Sequence, residues 1–313
     1  MRIASVLHDA SPEPDGAPLF PAVALERDGA LYRVSALAGA FGPRYAALDD
    51  LDFRPAALAL HGGLLHELDE RLKSGDRPSV ARLLPGTFTW LPPCDPDRAA
   101  FFACLPPSAR GVRPPPPRPG AGAPASTPAF RVATARTFLG HEAAVPLPPS
   151  ASEPDVECAL AAVLADDLVR ATAIEAEQAI LGYTVLVAFT PGFAAQLGPV
   201  LVTREELGAL APLRTQLRID GAPLPTGDAA AASAFSLPEA IAWISHQIPL
   251  SAGDVISSAR VPGACAGDAG VKLASCARID FTIERVGRLT GRLVPGPDLG
   301  PWRLIAPGRN AAQ

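Results

Sequence analysis

Histidine, cysteine and the carboxylates are the side chains that most often move protons, attack carbonyl groups or hold metals, and here they are thinly spread. The five cysteines, Cys94, Cys104, Cys158, Cys265 and Cys276, show no Cys-x-x-Cys spacing. Their number is odd, so reduced thiols are expected, and neither a zinc site nor a disulfide framework. His141 and His246 each read as a structural histidine before a base. The segment Glu153-Pro154-Asp155-Val156-Glu157 opens an apolar run. In a strand, residues two apart share a face, so Glu157 projects to one side and Cys158 to the other, into the core. Tyr183 carries a hydroxyl that could reach a substrate oxygen or serve a structural role. No Ser-His-Asp set, phosphate loop or dinucleotide fingerprint occurs in its required context.

These residues must be positioned by an element pattern dominated by strands. Arg2 to Leu7, Ala22 to Leu25 and Ala30 to Val34 read as strands, the last returning after Arg27-Asp28-Gly29. Leu60 to Lys73 has helical spacing at Leu64, Leu65, Leu68 and Leu72. Val156 to Leu164 and Gly182 to Phe189 are apolar enough to be strands buried on both faces. Ile174 to Ile180 reads as a short helix, and Leu213 to Ile219 as a strand entering a hairpin at Asp220-Gly221. Leu237 to Ile248 is an amphipathic helix, with Ser236 at the N-cap and Glu239 three residues on. Val255 to Ser258 and Ala277 to Val286 complete the strands. Between them, Pro106 to Pro128 holds Pro114-Pro115-Pro116-Pro117 and an Arg-Pro-Gly-Ala-Gly-Ala-Pro run, the composition of a linker. The expected organisation is a small N-terminal α/β domain over 1–105, a linker over 106–128 and a second domain over 129–313. The expected class is α+β with a rolled or sandwiched sheet.

Bulk properties exclude several functions. The 313 residues are 48% hydrophobic and 19% charged, with a net charge of −5. That composition fits a folded chain and gives no electrostatic footprint for nucleic acid. No run of eighteen apolar residues suggests a membrane span. Asp9 interrupts the N-terminal apolar stretch too early for a signal peptide, so a cytoplasmic location is expected. Lysine occurs only at Lys73 and Lys272; the bias to arginine, alanine, glycine and proline fits a GC-rich bacterial genome of the kind that carries large biosynthetic clusters.

From residue 139 to 294 the order of motifs resembles the C-terminal domain of the fumarylacetoacetate hydrolase family. The resemblance is carried by Leu139-Gly140-His141-Glu142, by Glu153 to Glu157, by Gly182-Tyr183-Thr184-Val185 and by Leu197-Gly198-Pro199-Val200-Leu201-Val202-Thr203-Arg204-Glu205-Glu206-Leu207. Phe235 to Ile241, Leu250 to Ile256 and a closing strand at Ile283 to Leu289 continue it. It implies a mixed β-sandwich roll that binds Mg²⁺ or a similar cation, which polarises a dicarbonyl substrate while a histidine activates water. It also implies a homodimer.

The resemblance places the family's three metal carboxylates at Glu157, Ala159 and Ala188, so one carboxylate stands where three are needed. Glu142, Asp155 or Asp166 would have to supply any rebuilt metal site. The family's histidine segment corresponds to Phe101 to Arg110, with Arg110 at the position of the base; arginine stays protonated and cannot take a proton from water. The loop that closes over substrate in the family is short and apolar here, Phe189 to Gln196. It reads either as a surface deletion or as an open, greasy pocket in which Phe189 and Phe193 touch a larger substrate. Arg260 stands where the family has a threonine. It could bind a carboxylate or enolate oxygen, or pair with Glu157 in place of the cation.

The expected function is therefore a metal-independent isomerase or cyclase, possible for a pericyclic reaction too, acting on an enolisable, polyketide-like small molecule. Glu157 and Arg260 are the expected catalytic pair, with Glu142, His141, Tyr183, Phe189, Phe193 and Arg110 lining the substrate. No metal or other cofactor is expected. A non-catalytic paralogue that scaffolds an active subunit, and a residual metal-dependent hydrolase or decarboxylase of a dicarbonyl acid, remain as alternatives.

Overall fold

The computed structural model describes residues 1–8, 20–105, 127–148, 151, 153–210 and 212–297. Strands β1 (Arg2–His8), β2 (Phe20–Arg27) and β3 (Ala30–Arg33) are antiparallel neighbours. The β2–β3 link is the two-residue turn Asp28-Gly29, with φ of 53° and 76°, the left-handed pair that a tight hairpin requires. Helices α1 (Val34–Phe41), α2 (Pro55–Leu60) and α3 (Gly62–Lys73) follow, then β4 (Arg82–Leu83), β5 (Phe88–Leu91) and β6 (Ala100–Leu105). The single helix expected from Leu60 is thus two, divided at His61. His61, at φ −97° and ψ 12°, leaves the helical region between them.

Beyond the proline-rich segment come β7 (Ala129–Thr134), β8 (Phe138–Leu139), β9 (Ala144–Leu147) and β10 (Asp155–Leu164). Helix α4 (Ala173–Gln178) leads to the long pair β11 (Ile180–Thr190) and β12 (Ala194–Thr203). After α5 (Arg204–Leu207), β13 (Thr215–Ile219) and β14 (Ala222–Leu224) form the hairpin expected at Asp220-Gly221. Helix α6 (Leu237–Gln247) opens on the expected capping box: Ser236 Oγ accepts from Glu239 N at 3.4 Å, and the Glu239 carboxylate accepts from Ser236 N at 2.8 Å. The chain then runs through β15 (Val255–Ser257), β16 (Arg278–Ile283) and β17 (Gly287–Pro295). The expected single closing strand over Ile283 to Leu289 is instead the end of β16, the turn at residues 284–286 and the start of β17, with Arg285 in the turn at φ 64°. A strand cannot continue through the left-handed backbone at Arg285.

Among the described residues the larger sheet follows the order β4-β3-β2-β1-β12-β11-β10-β15-β6-β7, with β5 beside β1 and β8 beside β12. The smaller sheet is ordered β14-β13-β16-β17-β9. The fold is α+β and dominated by strands, as expected. The N-terminal strands are woven into the larger sheet: β1 pairs with β12 at Ile3 and Leu201, and β6 pairs in parallel with β15. Alternation divides the sheet's side chains between two cores. Cys158, Leu160 and Ala162 of β10 join Val185 and Val187 of β11 in one. Ala159, Ala161 and Val163 join Leu186 and Ala188 in the other, together with Leu65, Leu68 and Leu72 of α3. At about 25 cal/mol per Å² of buried apolar area, these two interiors supply the main favourable term, and they hold the edge of the second as a rigid floor.

Candidate functional site

That floor belongs to a cavity of about 540 Å³. Ladder register assembles it. Glu157 lies opposite Ala188, and Ala159 opposite Leu186, on the antiparallel β10–β11 pair, so their side chains share one face. Phe101 and Ala103 of β6 and Ser257 of β15 extend the same surface. Arg131 of edge strand β7 lies opposite Ala103. Beyond β15, the segment from Ala259 to Cys265 folds back along β10: Val261 N donates to Cys158 O at 2.8 Å, and Cys158 N to Ala264 O at 3.1 Å. This return brings Arg260 and Cys265 to the cavity wall.

The structure therefore brings Glu157 and Arg260 into one cavity and adds Arg131, which no motif in the sequence marks. Arg131 Nη2 lies 3.8 Å from Glu157 Oε2, an ion pair too long to be a hydrogen bond. Arg260 is paired with Asp268 and not with Glu157: Nη1 donates to Oδ2 in a close contact and Nη2 to Oδ1 at 3.3 Å. The nearby Asp268 carboxylate holds the Arg260 guanidinium charge still more firmly, its pKa raised above the usual arginine value. Asp268 is itself placed by Asp155, whose carboxylate accepts from Gly267 N at 3.1 Å and from Cys265 Sγ at 3.0 Å. Burial pushes the Cys265 thiol up to about 11 and the Cys104 thiol up to about 12, so both remain protonated at neutral pH and neither is an activated nucleophile.

The other expected contacts lie elsewhere. Tyr183 and Phe189 occupy the β11 positions that alternate away from Leu186 and Ala188, and both are buried in the opposite core. Burial raises the Tyr183 hydroxyl to about 12. Phe193 packs beside Phe189, ring centroids 6.0 Å apart, outside the cavity lining. Glu142, at φ 61°, points outward with 67% of its side chain exposed. His246 is exposed on α6. Arg110 lies outside the described residues.

His141 has a structural post. Its Nδ1 accepts from Thr290 N at 3.1 Å, and its ring meets Trp90 edge-on at 5.2 Å. Burial holds its pKa below the ordinary value of 6.5, so the folded state keeps it neutral while the unfolded state takes a proton. Its contribution to stability is present above pH 6.5 and is lost as pH falls below that value. Urea unfolding at pH 7.5 and 5.5 should show a smaller pH loss for His141→Asn than for the wild type, because asparagine keeps the acceptor without titrating. An equal loss would remove His141 from the acid sensitivity.

The resemblance implies a hard divalent cation beside Glu157, and such ions need several oxygen ligands. Glu157 is the one carboxylate among the lining residues, which include two guanidinium groups and the methyl groups of Ala159 and Ala188. Among the described residues the one cluster of three ligand-type side chains is His66, Asp69 and Glu70 on α3, and Lys73 Nζ already sits 3.0 Å from Asp69. The donor set at Glu157 does not fit a hard divalent cation.

Comparison with known proteins bears on this geometry. The family model described as "Fumarylacetoacetate (FAA) hydrolase C-terminal" matches residues 116–192 and 189–294. Oxaloacetate tautomerase YisK of Bacillus subtilis (strain 168) is 28% identical over 159 residues, which is 45% of this chain and 52% of the tautomerase. The match thus spans about half the length of that relative. Maleylpyruvate hydrolase of Sphingobium sp. SYK-6, solved with manganese(II) and pyruvate, superposes over 95% of this chain and 100% of its own with a TM-score of 0.68 at 18% identity. Fumarylacetoacetate hydrolase of Exiguobacterium antarcticum gives 0.63 at 18% identity over 94% and 100%. The 5-carboxymethyl-2-hydroxymuconate delta-isomerase of Mycobacterium smegmatis gives 0.62 at 15% identity over 95% and 100%. At these identities the superpositions establish the shared fold.

Proposed function

Because the chain belongs to the fumarylacetoacetate hydrolase family, whose relatives here include a tautomerase, an isomerase and hydrolases, we propose that it isomerises or cyclises an enolisable small molecule without a metal. The observation that carries this reading is the cavity's charge arrangement: one carboxylate, Glu157, in a wall that also holds Arg131 and Arg260.

Proton abstraction next to a carbonyl needs a base and a stabiliser for the enolate oxygen. Glu157 takes the proton from the carbon, and the C–H electron pair moves into the carbonyl to give the enolate. Arg260, a permanent cation held by Asp268, stabilises the oxygen as charge develops there. Returning the proton at another atom completes a tautomerisation. If the enolate carbon instead attacks an electrophilic carbon of the same molecule, a ring forms and the proton goes to the new alkoxide. Neither route needs an activated water. A polyketide-like substrate would supply such carbonyl groups, and it is the finer form of this proposal.

A direct test uses 4-phenyl-2-oxobutanoate in D₂O, with exchange of its C3 protons followed by NMR. The wild type is expected to accelerate exchange, and Arg260→Gln to slow it by about a hundredfold, the scale of removing one oxyanion donor. Exchange at the uncatalysed rate with the wild type, or an unchanged rate in Arg260→Gln, would contradict the proposal.

A further inference from the structure

We infer that the cavity takes an anion with a bulky apolar body, an aryl or polycyclic carboxylate or enolate, clamped by Arg131 and Arg260 and seated on the alanine floor. The inference rests on the reading of Glu157 and Arg260 as one site, and it specifies what that site admits.

Arg131 makes the first part of the case. Among the described residues its side chain donates no hydrogen bond; its one ionic neighbour is Glu157 at 3.8 Å. A guanidinium carries five N–H donors, and those of Arg131 are available at the cavity wall. Arg260 spends its contacts to Asp268 through Nη1 and Nη2, which fixes the plane of the group and leaves its remaining N–H donors. Ser257, nine-tenths or more buried, lines the same cavity with no protein partner for its hydroxyl among the described residues. Asp268 balances the Arg260 charge and Glu157 faces Arg131, so it is the unspent N–H donors of both guanidinium groups and the Ser257 hydroxyl that favour an incoming anion, and guanidinium groups suit planar oxyanions that accept two bonds.

The floor makes the second part. Phe101, Ala159, Leu186 and Ala188 are 4%, 4%, 2% and 9% exposed, and they offer methyl groups, an isobutyl group and a ring face. None can bind a polar group, so a carboxylate laid on the floor would be left unpaired against hydrocarbon. An apolar body gains there instead, at about 25 cal/mol per Å² removed from water. The volume of about 540 Å³ lies within the range of roughly 300–1,000 Å³ that encloses drug-sized ligands. A four-carbon acid would leave most of it to water.

Calorimetric titration of the full chain in excess chelator tests this with 2-naphthoate, its neutral isostere 2-naphthamide, and pyruvate. The expected order is 2-naphthoate tighter than either of the others by at least tenfold. Arg131→Gln should weaken 2-naphthoate by about tenfold, or ~1.4 kcal/mol, with an unchanged melting temperature, because Arg131 is on an edge strand with 45% of its side chain exposed. Ala188→Asp should also weaken it, by placing a like charge under the ring. Equal binding of 2-naphthamide would overturn the clamp, and equal or tighter binding of pyruvate would overturn the apolar seat. No binding of 2-naphthoate would overturn both while leaving C3 exchange, measured separately, to judge the chemistry. Binding as expected with no exchange would sink the chemistry and keep the ligand class.

Discussion

Glu157→Gln is expected to slow C3 proton exchange by about 10²–10⁴-fold, the usual contribution of a positioned general base. Glutamine preserves the size of the side chain and its place opposite Ala188, but its amide does not accept a proton at neutral pH. No other lining group is suited to replace it. The thiols of Cys104 and Cys265 are pushed up to about 12 and about 11, and the remaining ionisable groups of the lining are arginines. The loss should fall on kcat, with the affinity for 2-naphthoate kept or improved, since removing the carboxylate also removes the charge that opposes an incoming anion. Folding should be unaffected, because 38% of the Glu157 side chain is exposed and its nearest cation is 3.8 Å away. A variant with wild-type exchange would remove Glu157 from the chemistry.

The largest effect on stability is expected far from the cavity, at Asp69. Its side chain is fully buried, in contact with Arg27 and 3.0 Å from Lys73 Nζ. Removing one partner of a buried ion pair typically costs about 3–5 kcal/mol, because the other charge stays desolvated. Here Glu206, 3.3 Å from Arg27 and 3.4 Å from Lys73, continues to compensate part of that charge. Asp69→Ala should therefore fall near the lower end, about 3 kcal/mol, read as a drop in the urea midpoint with an unchanged m-value. A change within about 0.5 kcal/mol, the usual range for surface substitutions, would show that Glu206 alone satisfies both cations.

These two residues also show what the sequence made legible. Glu157 could be placed on a strand face because the run from Val156 to Leu164 is apolar and strand periodicity is two; the resemblance then singled out Ala159 and Ala188 as its neighbours in the site. The direct pairing of Glu157 with Ala188 follows from the β10–β11 register. Asp69, by contrast, was invisible. It follows Leu68 and lies four residues after Leu65, hence toward the buried face of α3, but a helical pattern read from leucines alone treats it as a solvated charge. Of the cations that stabilise it, Arg27 and the Met1 ammonium are 42 (69 − 27) and 68 (69 − 1) positions away.

Distance along the chain explains the other differences as well. Arg131 becomes a site residue only because β7 pairs with β6, which pairs with β15, and no local pattern announces that ladder. Arg260 was identified by its position after Gly253-Asp254-Val255-Ile256, yet its partner is Asp268, set by a loop hung on Asp155. Tyr183 and Phe189 follow on β11 the same alternation that turns Cys158 into the core on β10. Phe189 therefore faces away from Ala188. Of the apolar stretch from Phe189 to Gln196, only residues 191–193 lie outside β11 and β12, as their tight connection, with Phe193 packed against the core.

The central claim is that proton transfer at Glu157 proceeds without a divalent cation, and C3 exchange in excess chelator tests it most directly. Metal content should be determined on the same purified sample. The account predicts no stoichiometric ion, the same exchange rate with and without chelator, no stimulation by manganese(II), and loss of the rate in Glu157→Gln. Exchange abolished by chelator and restored by manganese(II) would contradict it.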